Sequence, residues 1–159
     1  MPVSIYAQDN ETLMKAAFIE RFTRFVEWPE KAFEKESTFN ILILGENPFG
    51  TALETLFSTT KIKNREVKLI YSNDYREIKN CHLMYISESY RKKLEEVIDY
   101  SITFDVLTIG DTEDYCKKGI MINFFIEDEV LRFEINTGSL KKSKLKVSHL
   151  LLNVAKKVE

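Results

Sequence analysis

Five glycines and three prolines among 159 residues are too few for a loop-dominated, low-complexity or collagen-like chain. Cysteine and histidine are scarcer still, with only Cys81, Cys116, His82 and His149. No CxxC, HxxxH or HExxH spacing joins them, so the sequence offers no metal-ligand set. A surplus of one charge is also missing: 23 Lys and Arg stand against 25 Asp and Glu, a net charge of -2. That balance argues against a nucleic-acid binder, whose phosphate contacts need excess cations. No apolar run nears the roughly 18 residues that cross a bilayer, and the N-terminus lacks the apolar core of a signal peptide. What is present is 44% hydrophobic and 12% aromatic residues, including eleven Phe and seven Tyr. Such a chain builds one core without disulfide or metal staples, at a length that suits one domain.

The start of the chain admits two readings. Ala7, with Ile5 two positions earlier, has the spacing of a signal-peptidase site, so residues 1–7 read as a leader remnant; an ordinary frayed terminus is the other reading. The domain is expected over residues 8–159.

From Glu11 to Trp28, Leu13, Ala16, Ala17, Phe18, Phe22, Phe25 and Val26 recur at spacings of three and four, opposite Lys15, Glu20, Arg21, Arg24 and Glu27. This predicts an amphipathic helix capped by Asp9 or Asn10 and stopped by Pro29. Short apolar runs without alternation follow, at 39–44, 67–71, 82–86 and 105–109, interleaved with helical stretches at 51–58, 90–101 and 113–117. That rhythm predicts an α/β fold of three layers, a mostly parallel sheet with helices on both faces. The runs 120–126 and 130–135 lie too close together for a crossover and predict a C-terminal antiparallel hairpin. A last helix, about 147–158, is expected to turn Leu150, Leu151, Val154 and Val158 inward.

Gly45-Glu46-Asn47-Pro48-Phe49-Gly50 joins a strand to a helix, where a phosphate loop would sit, but Thr51 and Ala52 follow where Lys and Ser or Thr are needed. Pro48 removes a donor and Glu46 repels an anion, so a tight turn is the better reading. The acids of a receiver-type phosphoacceptor site are incomplete, because Asp105 falls at the start of its strand. There is no GxSxG elbow, and Cys81 and His82, adjacent on a strand, point to opposite faces. No catalytic residue emerges. Cys81 and Cys116 are either buried free thiols or, in an exported chain, a disulfide whose ~35-residue loop would add about 3–4 kcal/mol. Six lysines, at 141, 142, 144, 146, 156 and 157, run without an acid before Glu159. They read as a solvated face, or as a contact for an acidic partner or membrane surface.

Seven segments in fixed order carry a family resemblance. They are Lys15-Ala16-Ala17-Phe18-Ile19 with Phe25-Val26-Glu27-Trp28-Pro29; Leu44-Gly45-Glu46-Asn47-Pro48-Phe49-Gly50; Cys81-His82-Leu83-Met84-Tyr85-Ile86-Ser87; Val106-Leu107-Thr108-Ile109-Gly110-Asp111; Gly119-Ile120-Met121-Ile122-Asn123-Phe124; Arg132-Phe133-Glu134-Ile135-Asn136; and Ser148 before Leu150-Leu151. Together they resemble the YfiR family from about residue 13 onward. The resemblance implies a periplasmic, homodimeric regulator that is no enzyme and needs no cofactor. The best-known member represses a membrane-bound diguanylate cyclase by binding its periplasmic portion, lowering cyclic-di-GMP and biofilm formation. Other members lie near or are fused to sensor kinases, which implies as alternative a small-molecule-binding extracytoplasmic sensor working with a histidine kinase or transporter. Glu134 and Leu140 match positions used against the cyclase, and a small aromatic or amino-acid-like ligand is implied near His149. The family's redox-sensitive cysteines, about seven residues apart, are not matched: Asn123 stands seven residues after Cys116, so a Cys81–Cys116 bond would be a different crosslink.

Overall fold

The computed structural model describes residues 5–159, with side chains from Asn10 onward, so Met1–Ser4 of the expected leader remnant lie outside the described residues. Helix α1 (Ile5–Arg24) opens the fold, and β1 (Val26–Glu27) follows after a single residue. Then come β2 (Phe39–Leu44), α2 (Ala52–Phe57), β3 (Val67–Ser72), β4 (Leu83–Ile86), α3 (Leu94–Ser101), β5 (Leu107–Gly110) and α4 (Tyr115–Lys118). The chain finishes with β6 (Ile122–Glu127), β7 (Val130–Asn136), α5 (Thr137–Lys141), β8 (Lys146–Val147), α6 (His149–Val154) and β9 (Lys156–Val158). Among the described residues a seven-stranded sheet has the order β3-β2-β4-β5-β6-β7-β9. Its first five members are parallel, β7 is antiparallel to β6, and β9 runs parallel to β7.

Every residue of β2, β4 and β5 is buried, as strands covered on both faces must be. Alternate side chains feed two cores. Ile41, Ile43, Leu83, Tyr85, Leu107 and Ile109 face α1 and α2, whereas Leu42, Leu44, Met84 and Ile86 face Leu94 and Val97 of α3. The expected three-layer architecture and the hairpin are therefore present. Asp128 and Glu129 turn the hairpin with φ of 51° and 64°, the pair of left-handed residues that a two-residue turn with native strand twist demands.

Helix α1 is fixed to the sheet by aromatics. The Phe22 ring lies 4.8 Å from Phe133 in an edge-on pose and 5.6 Å from Phe124, and Phe18 packs beside all three. The helix differs from expectation at both ends. It begins at Ile5, so Asp9 and Asn10 fall inside it rather than at a cap, and it stops at Arg24 rather than Trp28. The physical reason for the early stop is β8, which pairs with β1 (Val26↔Val147, Glu27↔Lys146) and pulls this stretch into an extended form that outweighs its helical pattern. Leu13, expected on the buried face, is 57% exposed.

The C-terminus departs most. In place of one helix over 147–158, the segment divides into β8, a six-residue α6 capped by the Ser148 hydroxyl, and β9, which adds to β7 (Glu134↔Lys156). Of the residues expected to face inward, Leu151 is buried, whereas Leu150 and Val154 are 68% and 71% exposed.

Phe22 is 1% exposed at the junction of helix and hairpin. Phe22→Ala should destabilise the domain by about 3–5 kcal/mol, read as a lower urea midpoint.

Candidate functional site

The order of β3, β2 and β4 reverses between β2 and β4, the place where open α/β sheets hold ligands beyond the strand ends. Here that crevice is closed. Gly45 has φ +90°, and a Cβ there would collide with the hydroxyls of Ser87 and Ser89, which fill the space. The loop also spends its donors on itself: Glu46 N donates to Ser89 Oγ at 3.0 Å, and Phe49 N to Asn47 Oδ1 at 2.9 Å. Residues 45–50 are thus a tight turn with no free cradle for phosphate. Next to it, Asp111 at the end of β5 accepts from Lys15 Nζ at 2.8 Å, with Glu11 at 3.2 Å from the same ammonium. Burial opposes the charge of Lys15, but the two carboxylates prevail and raise its pKa. The Gly110-Asp111 motif therefore pins α1. Among the described residues no three His, Cys, Asp or Glu gather as metal ligands.

At the opposite sheet end, His82 is 2% exposed. Its Nδ1 accepts from Asn40 N at 2.9 Å and its Nε2 lies 2.8 Å from Ala32 O, which fixes the neutral tautomer with the proton on Nε2. Trp28 Nε1 donates to the His82 carbonyl at 2.9 Å, and the imidazole stacks on Phe33 and Phe39. Burial depresses the His82 pKa, against the pull of the Ala32 carbonyl; Arg65 depresses it further. Cys81 is turned away, its Sγ donating to Glu77 O, and burial pushes its thiol up to about 12. This pair is a structural bolt with neither a nucleophile nor a base.

Cys116 is fully buried, and its Sγ approaches Met121 O and Glu134 O. Burial raises its pKa as well. Of the two readings of Cys81 and Cys116, the structure has the buried free thiols, each turned to carbonyls in its own part of the sheet, Cys81 at the start of β4 and Cys116 against β7. Asn123, at the position where a family partner cysteine would stand, instead donates through Nδ2 to Thr112 O at 2.8 Å.

The residues implied by the resemblance differ in exposure. Glu134 is half-buried under α4, opposite Asn123, whose Nδ2 lies 3.4 Å from its Oε1. Leu140 on α5 is 7% exposed and belongs to the core, so its side chain is not offered to a partner; α5 turns it inward because Asn136 caps the helix at Ser139 N and fixes its rotation. His149 is exposed on α6. Beside it the sequence reading missed the surface that the structure makes: Leu150 and Val154 project from α6, and β9 leaves its outer edge without a strand among the described residues. All six lysines of the C-terminal run are exposed, with Lys146, Lys156 and Lys157 on the strands that flank α6, and none forms an ion pair among the described residues. The signal for this break was Ser148, a good helix cap placed directly after Lys146-Val147.

A model of the YfiR/HmsC-like family matches residues 12–156. The chain belongs to the YfiR/HmsC-like family. That family consists of periplasmic regulators rather than enzymes. In this YfiR/HmsC-like chain no described helix is long and apolar enough to cross a membrane. Among solved structures, the crystal structure of a conserved domain protein from Vibrio cholerae O1 biovar El Tor superposes with a TM-score of 0.60 at 8% identity. The superposition covers 93% of this chain and 60% of that one, and at this identity it shows the shared fold alone. No curated protein sequence matches the chain.

Two measurements check this site chemistry. Native protein should leave both thiols unreactive to Ellman's reagent at neutral pH and release both on unfolding without reductant; a missing thiol would reveal a bond. In the unfolded chain His82 regains an ordinary pKa near 6.5, so below that pH the unfolded state takes up a proton that the folded state refuses. Folding stability in urea should therefore fall as pH drops through about 6.5 and level off below the folded-state pKa, and His82→Gln should flatten this portion of the profile.

Proposed function

We propose that this chain is a periplasmic repressor of a membrane-bound signalling protein, a diguanylate cyclase, and that it docks through the face formed by α6 and β9. The observation that carries this reading is the pair Leu150 and Val154, 68% and 71% exposed beside the unpaired edge of β9. An edge strand next to exposed apolar side chains is the arrangement to which a partner adds a strand or an apolar helix. Lys146, Lys156 and Lys157, on the strands that flank α6, select an acidic partner and speed its approach. The same lysines would repel one another across a two-fold axis, so the homodimer uses another face. The groove between α1 and α2, with Leu13 exposed at its rim, is an apolar surface that remains for it. Glu134 on β7 is one strand in from β9, in register with Lys156, and half-buried.

Leu150→Glu combined with Val154→Glu tests the reading. Because both side chains are exposed, the melting temperature should barely change, while capture of the cyclase's periplasmic fragment weakens by about 2 kcal/mol or more. In cells, cyclic-di-GMP should rise to the level of a deletion strain. Unchanged capture and repression would reject the α6–β9 face, and a deletion that leaves cyclic-di-GMP unaltered would reject the cyclase as target.

A further inference from the structure

Between α3, the turn after α4 and the end of α5 lies a cavity of about 490 Å³, within the range of small-molecule sites. Its wall is apolar, built from Leu94, Ile98, Phe104 and Met121. Its depth is set in part by Gly119, whose φ of +124° suits only glycine and whose missing Cβ lets Ile98 come close. Thr108, 3% exposed, also lines the cavity. Its Oγ1 accepts from Met121 N at 3.0 Å, and no hydrogen bond among the described residues uses its own proton.

The rim is rich in donors. Arg91 and Lys92 lie in the turn just before α3, Lys118 at the end of α4 and Lys142 just past α5, against two acids, Glu95 and Asp99. Arg91 leans to Glu88 at 3.5 Å, while Lys92, Lys118 and Lys142 have no ion-pair partner among the described residues. Four cations from three separate elements, a buried hydroxyl with a spare proton and an apolar wall together fit one chemistry. A cation would meet a net positive rim, a neutral hydrocarbon would leave the lysines and Thr108 unused, and a bare inorganic anion would leave the wall uncovered.

We infer that this cavity binds a small organic anion, an aromatic or medium-chain aliphatic carboxylate. The apolar body lies on Leu94, Ile98 and Met121, and the carboxylate lies toward Lys118, Lys142 and the Thr108 hydroxyl. The site is independent of the α6–β9 face, and neither His149 nor Leu150 lines it.

Calorimetry on the full chain, with phenylacetate and octanoate as probes and 2-phenylethylammonium, benzyl alcohol and inorganic phosphate as controls, tests it. Both carboxylates should give saturable heats, at affinities about tenfold or more above the controls. Lys118→Glu with Lys142→Glu, both exposed and harmless to folding, should weaken phenylacetate about tenfold, and Glu95→Gln with Asp99→Asn should tighten it. Amide shifts on titration should centre on residues 94–121 and 139–143. No saturable heat from either carboxylate, equal affinity for phosphate or the ammonium, charge-reversed variants that bind as well as the parent, or shifts centred elsewhere would each overturn the inference.

Discussion

The chain beyond Leu145 is tied down twice, by β8 to β1 and by β9 to β7. Everything between those two ladders must fit into residues 148–155. A helix rises about 1.5 Å per residue, so the six residues of α6 make less than two turns. A helix that short, held at both ends, turns one narrow side to the core, where Leu151 is buried and Leu152 partly buried. Leu150 and Val154 are left outside by geometry, in spite of their hydrophobicity. The exposed apolar pair and the open edge of β9 thus share one cause, the double anchoring of the C-terminus.

The first of those anchors depends on the amino end of the sheet. Phe25 O accepts from Ser148 N at 2.8 Å, and two residues beyond Val26 the Trp28 indole reaches the His82 carbonyl. His82 in turn bonds Asn40 N and Ala32 O. Trp28, Asn40 and His82 therefore lock β1, β2 and the approach to β4 into one unit, and β8 is built on it. Asp111 does the same work for α1 through Lys15 at the other sheet end. Motifs that carry the family resemblance, from Phe25-Val26-Glu27-Trp28-Pro29 to Cys81-His82, owe their composition to these bolts. A regulator that acts by contact needs such rigidity more than it needs reactive groups.

The layers, the parallel strands and the hairpin were legible in the sequence because continuous apolar runs and a gap too short for a crossover have few structural solutions. The turn character of residues 45–50 was legible for the same reason, since Pro48 and Glu46 spoil an anion cradle. The ends of α1 and the division of the last helix were not, because both depend on the pairing of Val26 with Val147, a contact between residues far apart in the chain. Leu150 and Leu151 look identical in a periodic pattern, and only the anchors on either side decide which one is buried. Leu140, a contact residue by the resemblance, is buried on α5, whose first turn the Asn136 side chain caps, and a burial set by that cap has no mark in the local pattern. The cavity under α3 was invisible for a different reason: its cations come from three elements, with no local spacing to reveal them.

A balanced overall charge conceals an uneven distribution, with six exposed lysines and no acid between residues 141 and 158. The account makes the double-anchored C-terminus the working face of the molecule. Amide hydrogen exchange of the chain, alone and with the periplasmic fragment of the proposed cyclase partner, tests this most directly. The account predicts new protection confined to residues 149–158, with α1 and α2 unchanged. Protection that appears over α1 and α2 while 149–158 exchange as before would contradict it.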